Sequence, residues 1–79
     1  MEQEIIKICE TVAEEIDGVK HNYNKHTKLD MENGIDSLAL MNILIKIEQM
    51  YGISIDEHME EVAKAKTISD IVELISKIR

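Results

Sequence analysis

Apolar residues at helical spacing, in three separate stretches, constrain this chain more than any other feature. Ile5, Ile8, Cys9, Val12, Ala13 and Ile16 recur at spacings of three and four over Glu2 to Asp17, the pattern of one helix face. Glu2 and Glu4 suit the positive end of that helix dipole, and Gly18 is a natural left-handed stop. A second helix is predicted from Asp36 or Ser37 to Tyr51, ending at Gly52, because Leu40, Leu44, Ile47 and Tyr51 keep the helical period despite the Ile-rich run. Thr67-Ile68-Ser69-Asp70 reads as a capping box opening a last helix. Its stripe is Ile68, Ile71, Val72, Ile75 and Ile78, and Lys77 and Arg79 lie at its negative end.

Between these helices, Ile53 and Ile55 form an extended link, and Asp56 is expected to cap a short helix, Glu57 to Ala65, with Met59, Val62 and Ala63 inward. Residues 19–35 show no periodicity and read as a long connection, of a length that is uncommon and usually functional in a small domain. Leu29, Met31 and Ile35 are expected to tack it to the core. The fold expected is all-α, a small four-helix bundle of three longer helices and one short one. At 79 residues the chain has room for a single domain, residues 1–79. Its core must be aliphatic, since fourteen Ile, five Leu, five Met and four Val stand with no Phe, Trp or Pro.

Charge narrows the function. Nine basic against sixteen acidic residues give −7, which leaves no basic face for nucleic acid. The acidity is uneven. Residues 1–36 carry 4 basic and 9 acidic groups, residues 37–51 only Lys46 and Glu48, and residues 52–79 carry 4 and 6. One cysteine makes no internal disulfide, the N-terminus lacks a signal-peptide pattern, and the greasiest run, Leu38 to Ile47, is too short and polar to span a membrane. The chain reads as a cytoplasmic protein.

No catalytic constellation is evident. Ser37 has no triad partners in sequence, and His21, His26 and His58 are scattered among polar neighbours. No His or Cys pair has metal-ligand spacing on one element. The acidic run from Asp30 to Asp36 fails as a calcium loop, because Leu29, Met31 and Leu40 would occupy ligand positions. Cys9 lies on an apolar helix face and reads as core.

The second helix is greasier than its fold requires. On a wheel, Leu40, Ile43, Leu44, Ile47, Met50 and Tyr51 form the expected core stripe, while Leu38, Met41 and Ile45 form another on the far side. Either the long connection or the short helix covers this second stripe, or it docks a partner.

Three motifs then fall in order: Gly34-Ile35-Asp36-Ser37-Leu38 at the helix opening, Glu48, Tyr51, Gly52 and Ile53 at its end, and Thr67 to Asp70. With these, the sequence resembles the acyl carrier protein family over essentially its whole length. The resemblance implies that Ser37 carries 4′-phosphopantetheine, transferred from coenzyme A by a phosphopantetheinyl transferase. It also implies that acyl groups ride on that arm as thioesters, between acyl-loading and acyl-processing enzymes of fatty-acid, polyketide or related lipid synthesis, with no catalysis by the carrier. Asp36, Leu38, Met41, Ile45 and Glu48 are then the expected docking residues, on a monomer. Fatty-acid carriers usually bear several carboxylates along this helix, where the exposed positions here read Ala39, Asn42 and Gln49, and Asn33 replaces a common Leu. That departure points to recognition by apolar contact more than by charge. An aminoacyl or peptidyl carrier, D-alanyl carriers included, and an unmodified helical interaction module are the alternative readings.

Overall fold

In a computed structural model describing residues 1–79, the four helices are α1 (Glu2–Asp17), α2 (Ser37–Tyr51), α3 (Met59–Lys64) and α4 (Ile68–Ile78). The chain is a small all-α bundle of three longer helices and one short one. Local chemistry sets most of the boundaries. Gly18 and Gly52 end α1 and α2 in the left-handed region, at φ 73° and 64°, where a side chain would be strained. Asp36 caps α2, its Oδ1 accepting from the Ala39 N–H at 2.8 Å. The Thr67–Asp70 capping box is formed in both directions, and the N–H groups of Lys66 and Thr67 hold the Asp70 carboxyl below its ordinary pKa.

Helix α1 packs on α2 and α4, and α3 closes on α4. Eighteen residues are buried, and none of them is charged. Ile5, Ile43, Ile47, Ile68 and Ile75 are wholly enclosed, so the core is aliphatic interdigitation with Tyr23 at its edge.

Several inward expectations are corrected. Ile16, in the last and least covered turn of α1, is exposed, whereas Ile6 is buried. Met50 is exposed rather than core, and Ala39 is fully buried rather than exposed; the two share one edge of α2, Ala39 in its first turn and Met50 in its last. The short helix begins as a 3₁₀ turn at Asp56–His58, with no side-chain cap from Asp56. Of its expected inward residues only Val62 is buried, while Met59 and Ala63 face out. In α4, Leu74 joins the core, and Val72 and Ile78 are half-buried.

Residues 19–35 are also more ordered than a structureless connection. The Leu29 N–H donates to the Lys66 carbonyl at 2.9 Å, and the Ile68 and Ser69 N–H groups donate back to Thr27 and Lys25. This strand-like bridge between Lys28 and Thr67 ties the connection to the start of α4. Met31, expected to tack it down, is 80% exposed. Leu29 and Ile35 do pack inward as expected, and Tyr23 joins them in place of Met31.

Candidate functional site

The 3₁₀ turn Met31–Asn33 delivers the chain to α2. Asp30 opens it, its Oδ1 accepting from the Asn33 N–H and Nδ2 at 3.2 and 3.1 Å. Asn33 Nδ2 also donates to the Lys28 carbonyl at 2.9 Å, and the Tyr23 hydroxyl donates to the Asn33 carbonyl. Asn33 therefore stitches the turn polar group by polar group.

Gly34 follows at φ 74°, and a Cβ there would lie 2.9 Å from both Asp17 Oδ2 and His21 Nε2. The Asp17–His21 pair, 2.9 Å apart, thus backs directly onto the turn. The His21 ring and the Val19 N–H hold the Asp17 carboxyl below its usual range. Tyr23 stacks on His21 with centroids 5.2 Å apart, and burial pushes its phenol up to about 12. Tyr23, Asp17 and His21 were not evident as turn supports in sequence, because they come from the far end of α1 and the connection.

At the end of this braced turn, Ser37 is the first residue of α2 and is exposed. Asp36 takes the Ala39 N–H, and the Asp36 carbonyl accepts from Leu40 at 2.9 Å. The N–H groups of Ser37 and Leu38 stand in the first turn, where a helix offers no internal acceptor. Beside the hydroxyl lies an open hollow of about 330 Å³ whose walls include Leu29, Met31, Ile35 and Leu40. An anionic ester on Ser37 Oγ would meet unpaired N–H groups and the positive dipole end, with room for a flexible substituent. The residues fit a phosphodiester-linked arm.

The other expected residues divide. Leu38, Met41 and Ile45 are exposed on the outer face of α2. Asp36 is exposed but engaged as a cap. Glu48 is half-buried, its Oε2 accepting from the Ile55 N–H at 2.8 Å, so it anchors the link after α2. The histidines serve elsewhere: His21 faces Asp17, and His58 lies 3.1 Å from Glu61. Cys9 is 1% exposed, and burial raises its thiol to about 12. It stays protonated and unreactive at neutral pH. Met31 was the feature missed beside the hydroxyl. Its place in the sequence, one residue after a capping Asp, was the available signal.

The phosphopantetheine attachment site family matches residues 5–75, a span that includes α2 and α3 whole, most of α1 and α4, and Ser37 itself. The chain belongs to the acyl carrier protein family. An acyl carrier protein of Phytoplasma mali is 32% identical over 71 residues, covering 90% of this chain and 82% of that relative. A meromycolate extension acyl carrier protein of Mycolicibacterium aurum is 31% identical over 78 residues, 98% of this chain and 78% of the relative. An acyl carrier protein of Rickettsia canadensis is 31% identical over 71 residues, covering 90% and 80%. No solved structure matches the chain significantly. Members of this family are carriers rather than enzymes, and the group they bear is 4′-phosphopantetheine. No helix of this carrier is long and apolar enough to cross a membrane.

Proposed function

We propose that this carrier bears its 4′-phosphopantetheine on Ser37 and, as a cytoplasmic monomer, delivers acyl groups to enzymes of fatty-acid, polyketide or related lipid synthesis. The reading rests chiefly on one observation: an exposed serine hydroxyl opens a fifteen-residue helix inside the family-matched segment. When attached, the arm supplies a mobile thiol that holds acyl groups as thioesters.

This chain's own residues present and orient. The Gly34 turn and the Asp36 cap fix the start of α2, so that the hydroxyl points to solvent. The first-turn N–H groups favour an anion on Ser37 Oγ. The modifying transferase supplies the base that takes the Oγ proton, since the carboxylate next in sequence, Asp36, is committed to the Ala39 N–H. The outer face of α2, with Leu38, Met41 and Ile45, offers an apolar surface to partner enzymes, and Asp36 and Glu48 frame it. Cys9 takes no part in thioester carriage, being enclosed.

Co-expression with a broad-specificity phosphopantetheinyl transferase, followed by intact mass, tests the reading. The expected result is a gain of one phosphopantetheinyl group, lost completely in Ser37→Ala. An unmodified wild type, or a gain that survives the substitution, overturns it.

A further inference from the structure

The apolar surface around the Ser37 hydroxyl is not confined to α2. Met31, on the 3₁₀ turn, is 80% exposed, more than Leu38 at 59% or Met41 at 55%. It lines the same hollow as Ser37. A fraying loop would explain such exposure cheaply, but this turn is tied down. Asp30 holds Asn33 through two bonds, Tyr23 holds the Asn33 carbonyl, and the Ile35 N–H donates back to the Asp30 carbonyl at 3.0 Å. Holding the backbone beneath an exposed methionine fixed, beside Ser37, lowers the entropy cost of burying it under a partner. Its flexible thioether also suits a surface that meets more than one enzyme.

Charge indicates which partner surface fits. The outer face of α2 is nearly neutral: residues 37–51 carry only Lys46 and Glu48, and Glu48 is turned to the Ile55 N–H. Carboxylates gather on the other side of the hydroxyl, where Glu32 is exposed next to Met31 and Asp30 and Asp36 flank the hollow. A catalyst that brings an atom within bonding distance of Ser37 Oγ must cover both sides at once.

We infer that Met31 is a docking residue for the phosphopantetheinyl transferase, seated against an apolar wall of its cleft while the basic rim of that cleft lies over Glu32 rather than along α2. The inference rests on Ser37 being the modified residue. It places the electrostatic half of recognition on the turn and the apolar half on both sides of the hydroxyl.

The test measures the rate of phosphopantetheine incorporation into purified apo protein by a broad-specificity transferase with coenzyme A. Met31→Glu is expected to lower kcat/KM about tenfold, the effect of a contributing interface residue rather than a full hot spot, mainly through KM and with unchanged helical circular dichroism. Met31→Leu is expected to retain the wild-type rate. Glu32→Lys is expected to slow modification about threefold in about 50 mM salt, with the deficit vanishing by about 0.5 M as screening shortens. Wild-type rates for Met31→Glu overturn the docking role, and a salt-independent Glu32→Lys overturns the basic rim. Either result leaves the Ser37 reading standing if wild type is modified and Ser37→Ala is not. A wild type that takes up no phosphopantetheine overturns both.

Discussion

On one side of α2, Ala39, Ile43, Leu44 and Ile47 are 0–6% exposed, and on the other Leu38, Met41 and Ile45 are 43–59% exposed. The side chains are chemically alike, and their surroundings differ. The inner set is closed by α1 and the rest of the core, while neither the connection nor the short helix folds over the outer set. Burial of the first set holds the helix in place. Exposure of the second costs solubility, and under the proposed function it is kept beside Ser37 as an interaction face. Two faces that are both apolar therefore teach that apolar content alone does not identify the core of a helix. The neighbours decide.

Substitutions on the two faces separate these roles. The largest effect is expected from Ile47→Ala, at a position with no exposure. The lost methylenes and the cavity left behind should cost about 2–5 kcal/mol, read as a lower midpoint in urea. A much smaller loss would mean that the inner face is loosely packed and the contrast overstated. Asp36→Ala comes next. It strips the Ala39 N–H of its cap where the two faces meet, and about 1 kcal/mol is the usual cost, visible in the same titration. Ile45→Ala should change stability least, within about 0.5 kcal/mol, while lowering the rate of modification or acyl loading. If it unfolds the domain instead, Ile45 is core and the two-faced description of α2 is wrong.

Helix boundaries were legible because the signals that set them are local. Gly18 and Gly52 need a left-handed φ, Asp36 reaches only three residues ahead, and Thr67 and Asp70 cap each other. The Ser37 motif was legible for the same reason, standing at the opening of a helix. What escaped depended on partners distant in sequence. Tyr23 becomes half of the turn's bracing only because α1 brings Glu10 to its N–H, at 2.7 Å, and the turn brings the Asn33 carbonyl to its hydroxyl. Met31 was read inward because it lies near two residues that do point in, Leu29 and Ile35, but a 3₁₀ turn swings the residue after its cap outward. Glu48 looked like a free surface carboxylate until the chain after Gly52 folded back to offer it the Ile55 N–H. Ala39 was misplaced by likeness to the exposed carboxylate positions of fatty-acid carriers, whereas a small methyl here is fully enclosed.

The enclosure of Cys9 has a practical corollary. Before modification, a folded sample is silent toward chromogenic aromatic disulfides, since its lone thiol is shut away and protonated. Colour released promptly under native conditions then counts uncapped prosthetic arms, and colour that reappears after mild hydroxylamine counts the acylated ones. A cuvette thus reports how much of a preparation is empty, armed or loaded, without labels or added cysteines.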